Sequence, residues 1–140
     1  GCAPDTDEPL PDYVKPLGFI NKWTPEGRDR MVKILSESHF LILPTLADCF
    51  PLVFGEVAAF GLPSLSTKVG GVPSAIRDDC NGKTFALDAQ VDEYCTYVMN
   101  LFTNYTAYKE LARSTFHEYE TRLNWRVATR TVRQLMAEAT

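Results

Sequence analysis

Apolar runs and helical periods alternate along the central part of the chain. Three short apolar segments are bounded by proline, glycine or turn residues, which is the pattern of strands in a parallel sheet. These predicted strands are residues 39–44, 62–66 and 83–87. Helices are predicted between them at residues 51–60, closed by Gly61, and at 73–77. The alternation with short links predicts an α/β fold built from βαβ units.

The segment before this alternation is rich in proline. Prolines interrupt residues 3–16, which are therefore expected to be extended, with a short strand around Tyr13 left open. Residues 17–20 resemble the end of a strand. Thr24 and Pro25 then predict the start of a helix, as N-cap and first helical residue. The predicted apolar face of this helix is Met31, Ile34 and Leu35.

Apolar residues recur at helical spacing from residue 88 to the end of the chain. This periodicity predicts three helices, the last capped by Asn124, and their stripes are expected to belong to the core. The stripes are Tyr94, Cys95, Val98, Leu101 and Phe102, then Tyr108, Leu111, Ala112, Thr115, Phe116 and Tyr119, and last Ala128, Val132, Leu135 and Met136.

Composition and charge narrow the class of protein. The 140 residues are 45% hydrophobic and 23% charged, which favours one compact folded domain over disorder. A formal charge of −4 argues against a surface that binds nucleic acid. No apolar run approaches the roughly 20 residues that a membrane span requires.

The four cysteines follow no metal-binding spacing. Cys2, Cys49, Cys80 and Cys95 form no CxxC pair, and neither histidine completes a zinc site, so no metal is expected. Two disulfides are formally possible, but reduced thiols in a cytoplasmic protein are the simpler interpretation.

One stretch carries candidate chemistry. Asp48 lies in a predicted strand-to-helix loop, and Glu56 follows about two helical turns later. Such loops form the ligand crevice of open parallel sheets, and a helix N-terminus suits a phosphate. A Gly-Leu-Pro sequence and the Gly70–Gly71 turn come next.

This ordered set resembles retaining glycosyltransferases with the GT-B fold, of the family 4 or group 1 type. Asp48 and Glu56 hold that family's two acidic positions, and the resemblance runs from about Val14 to Ala137. The other matching residues are Leu17, Gly18, Phe19, Phe50, Val53, Ala58, Gly61, Pro63, Gly70, Gly71, Asn81, Gly82, Leu123, Asn124 and Trp125.

The resemblance implies a Rossmann-like parallel sheet with flanking helices, the C-terminal half of a GT-B fold. Residues 1–140 are then expected to form a partial nucleotide-sugar-binding domain, truncated at its N-terminus. Gly1–Cys2 resembles the end of an earlier strand. The first strand–helix unit, with its Arg and Lys for the diphosphate, and the acceptor-binding domain are expected to be absent.

The resemblance also implies roles for individual residues. Glu56 would accept hydrogen bonds from ribose, and Asp48 would contact hydroxyls of the transferred sugar; these two are the expected catalytic residues. Phe19 and Ile20 would meet the base, and the glycines would let backbone approach the ligand. The expected donor-binding residues are Phe19, Ile20, Asp48, Cys49, Phe50, Pro51, Leu52, Val53, Glu56, Gly70 and Gly71.

Alternatives and departures accompany these roles. Asp48 could cap a helix, Glu56 could lie on a solvated face, and Phe19 could belong to the core. Asp48 is one methylene shorter than the family's usual Glu, and Pro51 replaces a glycine and removes an N–H.

The reaction implied for the parent protein is transfer of a sugar from a nucleotide diphosphate sugar to an acceptor hydroxyl, with retained configuration and no cofactor. The diphosphate would depart as the acceptor attacks the same face, and catalysis would rest on stabilising the leaving phosphate. The acceptor, and any contact with a membrane, would involve regions absent from this chain, which is expected to be inactive alone. The alternatives are a non-catalytic nucleotide-binding module and a GT-B sugar-nucleotide epimerase.

Overall fold

The computed structural model describes residues 9–139, which form two compact units. The first unit covers the described residues up to Glu37, and the second begins at Ser38. The strand end expected at Gly1–Cys2 lies outside the described residues. The prediction that residues 1–140 form one partial domain stays a prediction.

The first unit contains one helix, α1, at Pro25–Glu37. Thr24 Oγ1 accepts a hydrogen bond from the N–H of Gly27 at 3.1 Å, which satisfies a donor that the first helical turn leaves unpaired. The predicted N-cap is therefore confirmed. Met31, Ile34 and Leu35 are half-buried, as the apolar periodicity predicts.

The strands predicted in this first unit are not present. Residues 17–20 belong to no strand, because Gly18 has a φ of 67°, which lies outside the β region. The Leu17 carbonyl accepts a hydrogen bond from Arg30 instead. The strand left open at Tyr13 is replaced by a turn, in which the N–H of Val14 donates to the Pro11 carbonyl at 2.8 Å.

The second unit is built on a parallel sheet. Its strands are β1 at Leu41–Leu43, β2 at Ser64–Thr67 and β3 at Gly82–Phe85, in the spatial order β1-β2-β3. Leu43 pairs with Ser66, and Thr67 pairs with Phe85. The α/β class with a parallel, Rossmann-like sheet is confirmed.

Two short helices connect these strands. Helix α2 is at Val53–Ala58 and α3 at Val72–Ala75. Helix α2 is shorter than predicted, because Pro51 and Leu52 form a turn before it and residues 59–61 form a turn after it. Gly61, with a φ of 68°, ends the helix as predicted. The buried core of this part is Phe54, Val57, Ala58, Leu62, Leu65, Val72, Ala75, Ile76 and Phe85.

Three longer helices complete the second unit. They are α4 at Val91–Thr103, α5 at Tyr105–Thr121 and α6 at Trp125–Glu138. Asn124 Oδ1 accepts the N–H of Val127 at 3.0 Å, which confirms the predicted cap of α6. Across residues 9–139, no helix is both long enough and apolar enough to cross a membrane.

The expectation that all three stripes are core holds only in part. Tyr108, Leu111 and Thr115 of α5 are buried, but Cys95 and Phe102 of α4 are exposed. None of the described residues of α6 is buried, so its stripe is not core within this chain. A periodic pattern shows that a helix has an apolar face, but it does not show that the same chain covers that face.

Strand β1 also departs from its prediction. Ile42, its middle residue, is 53% exposed, whereas a strand covered on both faces was expected. Ile42 lies at an open, mainly apolar cavity of about 460 Å³, whose other side includes Tyr94 and Val98 of α4. The described helices therefore leave one side of β1 accessible.

A buried carboxylate ties α5 to α3. Glu118 is 6% exposed, and its oxygens lie 3.1 Å from Arg77 Nη1 and 2.6 Å from Arg122 Nη2. Arg122 also donates to the carbonyls of Ser74 and Ala75, at 2.6 and 2.9 Å. These contacts connect the C-terminal end of α5 to the last turn of α3.

The charge of Glu118 makes this connection sensitive to pH. Burial alone raises the pKa of the Glu118 carboxyl, but the hydrogen bond and charge of Arg122 and the charge of Arg77 lower it more, below its ordinary value of 4.5. Because the pKa of Glu118 is lower in the folded state, the ion pairs stabilise the fold at pH values above about 4.5. This stabilisation is lost as the pH falls through the folded-state pKa.

Glu118→Gln is expected to lower the free energy of unfolding at pH 7 by about 1–3 kcal/mol, since it removes one partner of buried, charge-assisted hydrogen bonds. Urea denaturation at pH 7 and at pH 3 measures this. The difference in free energy of unfolding between Glu118→Gln and the unsubstituted chain should shrink at pH 3. Glu110→Gln, an exposed substitution on the same helix, is the control. If Glu118→Gln lost the same free energy at both pH values, the role assigned to the Glu118 charge would be contradicted.

Candidate functional site

The loop after β1 holds the first acidic residue of the motif. Asp48 is half-buried, and its Oδ1 accepts a hydrogen bond from the N–H of Phe50 at 3.0 Å. The N-cap position of α2 belongs to Leu52, which has no side-chain cap. Asp48 therefore shapes its own loop and is not the cap of α2, so that alternative is wrong.

The Gly70–Gly71 turn after β2 lies directly against this loop. The N–H of Gly71 donates to the Asp48 carbonyl at 3.1 Å. A Cβ on Gly70 would lie only 2.1 Å from the Asp48 oxygen, and one on Gly71 only 1.6 Å from the Cys49 oxygen. These glycines are therefore needed for contact between two backbones of the protein, a role that the sequence did not predict. Their contact with a ligand stays a prediction.

The sheet explains why the two loops meet. Strands β1 and β2 are parallel neighbours, so their carboxyl ends lie at the same edge of the sheet. At that edge the buried Ser66 hydroxyl donates to the Leu43 carbonyl at 2.7 Å, which links the ends of the two strands. The loop bearing Asp48 and the glycine turn start from this linked pair.

Glu56, the second acidic residue, lies on α2. It is exposed and faces an open cavity of about 520 Å³, within the size range of small-molecule sites. Phe50 lines the same cavity, and the beginning of α6 contributes Trp125 and Arg126. Trp125 is 74% exposed, so its ring presents a large aromatic surface there.

Residues 50–53, which are among the expected donor-binding residues, offer fewer backbone N–H donors than their number suggests. The N–H of Phe50 is donated to Asp48, and Pro51 has none. The N–H groups of Phe54 and Gly55 are used in the first turn of α2. Within residues 50–53, the donors left for a ligand are therefore those of Leu52 and Val53.

The remaining predicted contacts, Phe19 and Ile20, lie in the first unit. Phe19 is 75% exposed, so the alternative that it belongs to the core is wrong. Ile20 is half-buried. The second unit carries all the other predicted residues. Phe50, Leu52 and Glu56 line one cavity, and the backbone of Asp48 and Cys49 lies against Gly70 and Gly71.

Three residues near the site were missed at the level of the sequence. Arg122, Trp125 and Arg126 line the cavity that Glu56 faces. The sequence signal was the Leu123-Asn124-Trp125 match, which supported the family resemblance but was given no role in the site.

The described residues contain no metal-binding group. Among residues 9–139, no three His, Cys, Asp or Glu side chains are grouped so that they could hold an ion. Cys49, Cys80 and Cys95 form no disulfide, and Cys2 lies outside the described residues.

Comparison with protein families places most of the chain in one family. Residues 4–104 match the family described as Glycosyl transferases group 1. The chain belongs to this family. The matched residues include the Asp48 loop, Glu56 and the Gly70–Gly71 turn.

Curated relatives are similar to this group 1 chain over part of their length. A D-inositol 3-phosphate glycosyltransferase of Mycolicibacterium vanbaalenii is 31% identical over 80 residues, covering 55% of this chain and 18% of that protein. The phosphatidylinositol N-acetylglucosaminyltransferase gpi3 subunit of Schizosaccharomyces pombe is 31% identical over 109 residues, covering 78% of this chain and 22% of that protein. The chain thus spans about a fifth of the length of the relatives it matches.

Gly71→Ala is expected to separate the two loops of the site, because its methyl group would overlap the Cys49 carbonyl. The free energy of unfolding should fall by about 1–3 kcal/mol or more. The Gly71 amide should also lose protection from hydrogen exchange. Urea denaturation and amide exchange measure the two effects.

Ser74→Ala is the matched control for this substitution, since Ser74 is exposed on α3 and its backbone carbonyl is retained. It should change stability by less than about 0.5 kcal/mol. Gly70→Ala makes the same change at the neighbouring position, where the methyl group would overlap the Asp48 carbonyl. If the Gly71 amide kept its protection from exchange in Gly70→Ala, the two loops would not be held together by this contact.

Proposed function

We propose that this chain is the donor-binding part of a retaining glycosyltransferase, which transfers a sugar from a nucleotide diphosphate sugar to an acceptor hydroxyl. The observation that supports this most is the joining of the Asp48 loop to the Gly70–Gly71 turn at one edge of the sheet, in a unit that also carries Glu56 beside an open cavity. Ligands of open α/β sheets bind at that edge.

Glu56 is proposed to bind the ribose. Glu56 is exposed at the wall of a cavity, and a carboxylate there can accept hydrogen bonds from ribose hydroxyls, which are donors. Hydrogen bonds to a charged acceptor are stronger than those between neutral groups.

Asp48 is proposed to contact the transferred sugar. Its Oδ1 is occupied by the N–H of Phe50, so Oδ2 is the oxygen that would accept from a sugar hydroxyl. The bond to Phe50 also restricts the orientation of the Asp48 side chain.

The diphosphate is proposed to lie near the amides of Leu52 and Val53. These two donors would stabilise charge that develops on the leaving phosphate, which is the main source of catalysis in the proposed mechanism. Two amides are a weak anion site alone, so cations from elsewhere in the protein are part of the proposal. Neither acid is assigned as a covalent nucleophile.

The whole reaction is proposed to need more than these 140 residues. The chain spans about a fifth of its relatives, and an acceptor site is proposed to lie in the remainder of the protein. The names of both relatives contain inositol, so inositol-containing acceptors are the first to test. The isolated chain is expected to transfer no sugar.

Glu56→Ala is expected to weaken nucleoside diphosphate binding to this chain at least tenfold, because it removes charge-assisted hydrogen bonds to ribose. Backbone amide shifts during titration with UDP and with GDP measure binding. In the unsubstituted chain, the shifts should concentrate at residues 50–56.

Glu110→Ala, which removes an exposed glutamate of α5, should leave the affinity unchanged. Two results would sink the proposed site: amide shifts that avoid residues 50–56, or equal affinities for Glu56→Ala and the unsubstituted chain.

A non-catalytic nucleotide-binding module is the second candidate. It is favoured by the bond of Asp48 to Phe50 and by Pro51, since both reduce the polar groups that this loop offers to a ligand. The full-length protein that contains this chain separates the two candidates. With UDP-glucose, UDP-N-acetylglucosamine and GDP-mannose as donors, transfer or donor hydrolysis is expected of the enzyme, and binding without turnover of any donor is expected of the module.

A further inference from the structure

Arg122 is a cation at the wall of the cavity that Glu56 faces, yet its guanidinium is turned toward the protein. Nε and Nη2 contact Glu118 Oε2 at 2.7 and 2.6 Å. Nη1 and Nη2 donate to the carbonyls of Ser74 and Ala75 at 2.6 and 2.9 Å. With its donors used in this way, Arg122 is poorly placed to bind a phosphate.

The two carbonyls that Arg122 holds belong to the last residues of α3. This helix is a single turn, and its N-cap is Gly71. The Ser74 N–H donates to the Gly71 carbonyl at 3.0 Å, so the position of the helix end and the position of the glycine turn are directly coupled. Asn81, the residue before β3, also donates from its Nδ2 to the Ala75 carbonyl at 3.0 Å. This bond fixes the same end of α3.

The glycine turn in turn supports the Asp48 loop. Gly71 donates to the Asp48 carbonyl, and the two backbones are too close to admit a Cβ on either glycine. A shift of α3 would therefore move Asp48. The hydrogen bonds that lead from Arg122 through α3 and Gly71 to Asp48 are made by residues outside α2, the helix that carries Glu56.

We propose that Arg122 is a positioning residue for the sugar end of the donor site: it holds α3, and through the Gly70–Gly71 turn it holds Asp48 where the transferred sugar binds. This inference rests on the proposed function. Its specific consequence is that Arg122 supports recognition of the sugar and leaves recognition of the nucleotide largely unaffected.

The geometry explains why lysine cannot replace this arginine. A guanidinium presents several donors in a planar fork, whereas an ammonium is a compact charge on a flexible stem. Lysine would keep the charge beside Glu118 but would lose the paired contacts to the two α3 carbonyls. A residue acting by charge alone, such as a direct phosphate ligand, would be rescued by lysine.

The test compares each nucleoside diphosphate with its sugar derivative, using the full-length protein that contains this chain. The probes are UDP against UDP-glucose and UDP-N-acetylglucosamine, and GDP against GDP-mannose, measured by calorimetry. Arg122→Lys and Arg122→Gln should both weaken binding of the nucleotide sugar about tenfold, with less than about a twofold change for the diphosphate alone. Exchange of the Gly71 amide should become faster in both variants.

Arg113→Lys and Arg113→Gln, which alter an exposed arginine of α5, the helix that ends just before Arg122, are the matched controls and should change neither affinity. Circular dichroism shows whether each variant is folded at the temperature of the measurement. If Arg122→Gln is unfolded, Arg122→Lys carries the comparison, since it retains the charge that Glu118 needs.

Three results would overturn the inference. Equal weakening of diphosphate and nucleotide sugar, rescued by lysine, would make Arg122 a phosphate ligand. A lower melting temperature with unchanged affinities would make it structural only. Absence of binding of every probe to the unsubstituted protein would overturn the proposed function and this inference with it, whereas the first two results leave the proposed function standing.

Discussion

Two backbones in direct contact determine the shape of the candidate site. The Gly70–Gly71 turn lies so close to Asp48 and Cys49 that neither glycine could carry a side chain. Because the Gly71 amide also donates to Asp48, the two loops form one surface. The position of the Asp48 carboxylate is therefore set by residues more than twenty positions away in the sequence.

The rest of the second unit holds these two loops in place. Below them, the parallel pairing of β1 with β2 brings the strand ends together, and Ser66 links those ends through Leu43. From the side, Arg122 fixes the far end of α3. Buried Glu118 balances the charge of Arg122, so the carbonyl contacts are made by a guanidinium that is itself paired. In this way a connection between α3 and α5 contributes to the geometry of the site.

Local signals in the sequence were sufficient for much of the fold. Caps predicted the starts of α1 and α6, since Thr24 and Asn124 bond within their own first turns. Short apolar runs predicted the three strands within a few residues. Features that depend on distant partners were not predictable in this way. Gly18 turned a predicted strand into irregular backbone, and the apolar stripe of α6 gave no information about what covers it.

The same distinction applies to the candidate site. The ordered motif located Asp48 and Glu56, because it is a pattern along the chain. It could not show that the glycines contact the Asp48 backbone or that Arg122 reaches α3, since both depend on packing between separate elements. Membership of the group 1 glycosyltransferase family supports a donor site of this kind, and the contacts show how this sequence builds its loops.

A crystal structure of the protein with a bound nucleotide diphosphate sugar tests the proposed donor site most directly. Ribose hydroxyls are expected within hydrogen-bond distance of the Glu56 carboxylate, about 2.5–3.2 Å, and a sugar hydroxyl at the same distance from Asp48 Oδ2. The Gly71 amide is expected to donate to the Asp48 carbonyl in the complex as well. A ligand bound away from both carboxylates, or a glycine turn separated from the Asp48 loop, would contradict the proposed site.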